Sequence, residues 1–355
     1  MNISRKHRWA ALAAVGAIAA LALSACSPAD SIPQATQSGS ASNGVVGPST
    51  MTDVTMQIEG SAVPYYAPLY EAIEQGYFAK HNLNVNLLYA EGATVIQNVA
   101  AGNVQFGFPN APGVIAAQAN GVKTKVVHTT YQKGIGAVLF NAETSGIKTA
   151  KDLKGKTIAV TDLGSPQTIA LKLLLQDAGL KMTDVNIKIV GVGAIIQALQ
   201  KGEVDAISFN SVRYYALKNA GFPAGEILTE PALPTNGNVV ITSPDYLKSN
   251  PQVVAGFIAA LDEGIKYVIA DPAGSVSTSI AKYATTFAGQ ETAITEVINE
   301  IYIKQLWNSK DTDKYGFGYG DLPRWQTSID ALADAKLIDR SFKASELVVE
   351  PKDIH

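Results

Sequence analysis

The chain has 355 residues and a formal net charge of −3, from 28 Lys and Arg against 31 Asp and Glu. The body, from about Thr52 to His355, is long enough for two lobes. The mild acidity disfavours nucleic acid or an anionic lipid surface as a partner. A single cysteine excludes an intramolecular disulfide and a cysteine-built metal site. His81, His128 and His355 are widely separated, and no His-Glu-x-x-His, phosphate-loop or Gly-x-Ser-x-Gly pattern occurs, so neither a metal nor a cofactor is implied.

The N-terminus reads as a targeting segment. Arg5, Lys6, His7 and Arg8 precede an apolar run from Trp9 to Leu23 that is too short for a comfortable transmembrane span, which predicts a signal peptide over residues 1–25. Leu23-Ser24-Ala25-Cys26 resembles the lipobox of bacterial lipoproteins. That resemblance implies that Cys26 is lipidated, becomes the mature N-terminus and anchors the protein to the membrane outside the cytoplasm. An ordinary secretory signal with a chance cysteine is the alternative. Removing Arg5, Lys6 and Arg8, with no acid lost, takes the charge to −6. The stretch from Cys26 to Met51 is rich in Ser, Gly, Pro, Ala and Gln, cannot bury enough apolar surface to offset its chain entropy, and is expected to be a disordered tether.

Beyond it, alternation in Asp53–Glu59 predicts a strand. Pro68 and Gly76 bracket a helix, and Leu83–Tyr89, Gln105–Phe108, Val126–Tyr131 and Ala137–Phe140 follow as strands, with helices over Thr94–Ala101 and Pro112–Asn120. The pattern then restarts. Lys156–Val160, Asn186–Val190, Ala206–Phe209 and Val239–Thr242 are strands, and Ser165-Pro166 opens a helix that Gly179 stops. From Pro244 the chain is almost entirely helical, through Ile269, Ala273–Phe287, Glu291–Leu306 and Leu322–Ala335. Strands alternating with helices give α/β lobes with mainly parallel sheets. One unit recurs: Gly102-Asn103-Val104-Gln105 before the strand ending at Phe108, and Gly202-Glu203-Val204-Asp205 before the strand ending at Phe209. The repeat predicts two pseudo-symmetric halves.

Ser61 to Tyr70 after the first strand, Gln75-Gly76-Tyr77-Phe78, the two Gly-x-Val units, Asp152 to Val160, and Trp325-Gln326 within Asp321–Ile338 together resemble ABC-transporter binding proteins. The branch is that of the nitrate, sulfonate and taurine binders and the thiamine-pyrimidine-precursor binders. The resemblance implies a type II periplasmic-binding-protein fold: two α/β lobes joined by a two-crossing hinge, with a helical C-terminal segment. Lobe one would span about residues 52–142 and 236–355, and lobe two 143–235, with crossings near 141–148 and 235–241. It implies a small-molecule ligand, an ABC permease and ATPase as partners, a monomeric protein and no enzymatic role. The small ligand is expected to be planar or heteroaromatic, because the candidate loops carry many aromatics and few cations; a small anion such as sulfonate or nitrate is the alternative. Two other classes are a pyrimidine-synthase-like enzyme, disfavoured because its Cys-rich motif has no counterpart here, and a sensory lipoprotein without a transporter.

In open α/β sheets ligands sit beyond the C-terminal strand ends, near helix N-termini. Four loops qualify: Ser61, Tyr65 and Tyr66 in the first; Asn110 in the second; Gly164, Ser165 and Gln167 in the third; Asn210 and Arg213 in the fourth. Tyr131 follows a strand and joins them. Each has a structural alternative: the tyrosines as core, Asn110, Ser165 and Asn210 as helix caps, Arg213 as a solvated helix residue. Phe317-Gly318-Tyr319-Gly320 is either a mobile rim or a structural loop.

Overall fold

The computed structural model describes residues 46–163, 165–191 and 193–354. The expected signal segment, Cys26, most of the expected tether and Gly164 lie outside the described residues. Val46–Thr50 already belongs to the body: His81 Nδ1 bonds the Val46 carbonyl and Asn82 Nδ2 donates to the Pro48 carbonyl at 2.9 Å. The expected tether therefore ends several residues before Met51.

Two five-stranded sheets form the two α/β lobes. The first orders β2 (Leu83–Ala90), β1 (Thr52–Glu59), β3 (Phe106–Phe108), β10 (Val240–Thr242) and β4 (Lys125–His128). The second orders β7 (Asn186–Ile189), β6 (Thr157–Val160), β8 (Ala206–Asn210), β5 (Gly136–Asn141) and β9 (Ala224–Leu228). In each sheet three parallel strands are followed by one that runs antiparallel to both of its neighbours: β10 between β3 and β4, and β5 between β8 and β9. The halves share one plan, as the repeat predicts.

The repeated unit shows why. Gly102 and Gly202 both take left-handed φ, +75° and +69°. At each, the glycine N–H returns to the carbonyl three residues back (Val99 or Leu199), and the next N–H to the carbonyl five back (Asn98 or Ala198). These are Schellman endings, which close a helix and turn the chain into the next strand. Val104 and Val204 are then buried. Gln105 Oε1 accepts from Thr55 N at 2.8 Å and Asp205 Oδ2 from Thr157 N at 2.7 Å, so each unit ties itself to a parallel strand of its own sheet, β1 or β6.

The lobe boundary differs from the expectation at residue 142. The strand at 137–140, expected in lobe one, is β5 of the second sheet. Its residues are buried on both faces, Val138 and Phe140 in one cluster and Ala137 and Leu139 in another, so it needs a central position with a partner on each side. β9 supplies one of those partners and lacks a clear alternation in sequence. The crossings consequently run through residues 129–135 and 229–239, not 141–148. They lie side by side: Tyr131 N donates to Asn238 O at 3.0 Å, Gly237 N to Tyr131 O at 3.0 Å and Gly134 N to Thr235 O at 2.9 Å. A Cβ at Gly237 would lie 2.8 Å from that of Tyr131 and 2.9 Å from the Lys133 carbonyl oxygen, so glycine permits this approach.

The later helices cover the first lobe. Helix Pro251–Ala270 buries Val254, Phe257, Leu261 and Ile265 against β1, β3 and helix Ala67–Glu74. Phe257 stacks on Phe106 at 4.1 Å between ring centroids. Glu291–Leu306, expected as one helix, is α-helical over Glu291–Val297 and then widens to π-helical turns over Ile298–Trp307. On the opposite face, helix Leu322–Asp334 buries Trp325 and Ile329. Among the described residues no helix is long and apolar enough to cross a membrane.

Candidate functional site

Strands β1, β3 and β8 end at one cleft between the lobes, which has two adjoining compartments. The first, about 280 Å³, is lined by Glu59, Tyr66 and Asn110 of lobe one, by Gln167 of lobe two, and by crossing residues including Ile135, Thr229, Glu230 and Asn238. The second, about 200 Å³, is lined by Tyr65, Phe287 and Tyr302 of lobe one, by Tyr131 of the first crossing and by Asn210, Val212 and Arg213 of lobe two. Tyr66, Ile135 and Asn238 line both. Small-molecule sites combine such apolar walls with a few convergent polar groups.

The aromatic wall is interlocked. Tyr65 stacks on Tyr302 with centroids 5.2 Å apart and planes within 7°. Tyr131 meets Tyr302 and Phe108 edge-on, and Phe108 meets Tyr66 edge-on. The Tyr66 hydroxyl donates to the Glu59 carbonyl at 2.7 Å, and the residue lines both compartments. Burial raises the phenols of Tyr66, Tyr131 and Tyr302 above the usual tyrosine range; it also raises Tyr65, opposed by the nearby Arg213 charge. All four therefore present neutral hydroxyl groups around neutral pH.

The polar groups differ in how far they are engaged. Asn110 Oδ1 caps helix Ala111–Ala119 by accepting from Gly113 N at 2.9 Å, while its main-chain N and its Nδ2 both donate to the Glu59 carboxylate, each at 2.8 Å to Oε2. Its side chain therefore builds the wall. Asn210 Oδ1 is buried and has no hydrogen-bond partner. Arg213 lies over the Phe209 ring at 5.9 Å and makes no ion pair among the described residues. Glu230, by contrast, pairs with Arg324 at 2.7 Å, tying the second crossing to helix Leu322–Asp334.

Of the residues expected at a site, Tyr65, Tyr66, Asn110, Tyr131, Gln167, Asn210 and Arg213 converge on this cleft. Ser61 is exposed and lines neither compartment. Ser165 also lines neither; its Oγ caps helix Pro166–Asp177 by accepting from Thr168 N at 3.2 Å, its structural alternative. Gly164 lies outside the described residues. The Phe317–Gly320 loop is pinned, its Gly318 carbonyl accepting from Thr129 N at 2.8 Å and its Tyr319 carbonyl from Gln132 Nε2 at 3.0 Å. Sequence reading misses Glu59, Asn238, Phe287 and Tyr302. A carboxylate ending β1 was a readable signal; Tyr302, inside an apolar helical run, carried none. Among the described residues no cluster of His, Cys, Asp and Glu could hold a metal ion.

Comparison with known proteins fits this geometry. The family model described as NMT1/THI5 like matches residues 63–275. The riboflavin-binding protein RibY of Chloroflexus aurantiacus is 23% identical over 292 residues, covering 81% of this chain and 82% of that protein. A 4-amino-5-hydroxymethyl-2-methylpyrimidine phosphate synthase of Aspergillus parasiticus is 25% identical over 236 residues, covering 62% and 68%. The periplasmic aliphatic sulphonate-binding protein SsuA of Escherichia coli superposes with a TM-score of 0.67 at 18% identity, covering 85% of this chain and 94% of that one, a similarity of fold.

Proposed function

The chain belongs to the NMT1/THI5-like family, and from that premise we propose that it is the extracytoplasmic solute-binding lipoprotein of an ABC importer. It captures a small organic molecule between its lobes and presents it to a permease and ATPase complex. The observation that carries this reading is the cleft itself, lined by both lobes at the ends of β1, β3 and β8. A ligand touching both lobes favours their closed arrangement, because only differential contacts shift such an equilibrium. The two hydrogen-bonded crossings are the segments about which closure turns.

The aromatic wall favours a planar ligand, since a stacked ring contributes roughly 1 kcal/mol beyond its area burial. Binding without chemistry is the reading for this chain despite its synthase relative: Cys26 is its only cysteine, and among the described residues the polar groups lining the cleft include no histidine or cysteine. Cys26 carries the lipid, on the strength of the Leu23–Cys26 motif. A thermal-shift screen of the full chain against flavins, pyrimidines, aromatic acids, sulfonates and nitrate tests the proposal. Concentration-dependent stabilisation by a planar organic compound is expected. Stabilisation by sulfonates or nitrate alone would replace the planar reading with the anion one, and turnover of a bound compound would overturn the binding-only role.

A further inference from the structure

Resting on the reading that this cleft captures a small molecule, we propose that Glu59 determines specificity in the first compartment. Its carboxylate occupies the place at two helix N-termini of lobe one to which an anion is drawn, so that compartment rejects anionic groups and receives a cationic or N–H-bearing group of the ligand.

Helix N-termini favour negative charge, because their first N–H groups have no partner within the helix. Helices Gly92–Ala100 and Ala111–Ala119 both begin beside Glu59, the last residue of β1. Asn110, the N-cap of the second helix, donates to the carboxylate from its main-chain N, at 2.8 Å to Oε2, and from Nδ2, at 2.8 Å to Oε2 and 2.9 Å to Oε1. Gly92 opens the first helix. A Cβ there would lie 2.8 Å from the carboxylate carbon and from Oε1, so glycine leaves the space that the carboxylate fills. The chain thus supplies its own anion where a ligand's anion would be held.

That charge has no counter-ion. Glu59 makes no ion pair among the described residues, and no Lys, Arg or His is among the residues lining the first compartment. The compartment's other carboxylate, Glu230, is neutralised by Arg324 at 2.7 Å. Glu59 is half-buried and not sealed. A carboxylate has about four acceptor positions, and Oε1 accepts only from Asn110 Nδ2 among the described residues. After burial, the Glu59 charge is the largest influence raising the Tyr66 phenol, so its field reaches the aromatic wall. An anionic group entering here meets a like charge, whereas a cation or an N–H donor meets a partner. Arg213, the one cation lining the cleft among the described residues, stands in the second compartment, so the selection against anions belongs to the first.

The test is calorimetry on the full chain with three planar probes of similar shape: benzamidinium, neutral benzamide and benzoate. The proposal expects benzamidinium to bind at least tenfold more tightly than benzoate, with benzamide between them. Glu59→Gln keeps an oxygen for Asn110 N and removes the charge; it should lower the ratio of benzamidinium to benzoate affinity at least tenfold. A thermal melt confirms that the variant is folded, and the ranking on the unaltered chain does not depend on it. Every cationic or N–H-bearing binder from the screen above is measured against both proteins and should lose at least tenfold in Glu59→Gln. A ratio below ten on the unaltered chain, a ratio or a screened binder that Glu59→Gln leaves unchanged, or binding by donor-free anions alone overturns the role of Glu59 and leaves solute capture standing. No binding by any probe or screened compound overturns both.

Discussion

Tyr66 and Glu226 show how a residue's surroundings set its behaviour. The Tyr66 hydroxyl is committed to the Glu59 carbonyl while the residue lines the cleft. Tyr66→Phe should therefore lower stability by about 1 kcal/mol, the net worth of one such bond, and leave ligand affinity within about threefold, because the stacking surface remains. Urea unfolding and calorimetry check the two halves separately; a large loss of affinity would mean that the hydroxyl itself meets the ligand. Glu226, on the edge strand β9, is held by burial with its carboxyl pushed up to about 7, Lys218 opposing the shift, and its Oε2 is buried without a partner. A carboxyl with a raised folded-state pKa binds more protons folded than unfolded. Its contribution is fully present below the unfolded value and is lost as pH rises toward 7. Partial exposure screens the cost, leaving on the order of 1 kcal/mol. Glu226→Gln should thus be the more stable protein at pH 8 and gain nothing at pH 5, measured as the difference in urea midpoints; equal midpoints at pH 8 would place the carboxyl in contact with water.

At the scale of elements, glycines decide how closely the pieces meet. A Cβ at Gly264 would sit 2.2 Å from the Pro68 carbonyl oxygen, so helix Pro251–Ala270 lies directly on the start of helix Ala67–Glu74. Gly264→Ala must push these helices apart, and a loss of about 1–3 kcal/mol is expected in chemical denaturation. The two Schellman endings allow a paired test. Nothing lies within 4 Å of a Cβ built at Gly102 or Gly202, so an alanine there suffers only from its left-handed φ. Each substitution should cost about 1 kcal/mol. Because the two sites lie in different lobes, the double variant should lose the sum of the single effects. A double loss well short of that sum would show that the lobes do not unfold as one unit.

For the whole molecule, the chain passes between the sheets twice, and the crossings hydrogen-bond to each other between Tyr131 and Gly237. Ligand contacting both walls should close the lobes and reduce the radius of gyration in small-angle scattering. An unchanged radius at demonstrated saturation would mean that the cleft is preformed. Gly237→Val, which would thrust a side chain into Tyr131 and the Lys133 carbonyl, should change the unliganded radius or weaken binding. The proposed lipid anchor at the other end of the chain has its own test: Cys26→Ala should move the protein from the membrane fraction to the soluble fraction and abolish acyl labelling.

Local chemistry made much of this readable in sequence. Alternation marked β1, Ser-Pro pairs marked helix starts, and the repeated Gly-x-Val unit marked two halves, because strand alternation, caps and left-handed glycines are written in adjacent residues. The same logic found seven residues that meet at the cleft, since strand ends are where ligand loops fall. Partner choice was not local. β5 reads equally well as the last strand of one lobe or the first of the next, and only the antiparallel places beside β8 and β9 decide it. Likewise no sequence signal separates Asn110 from Asn210: each is an asparagine near a strand end before a helix. Whether its oxygen caps a helix or stays buried and unpaired depends on Gly113 reaching one and nothing reaching the other, and those distances exist only once the lobes have folded.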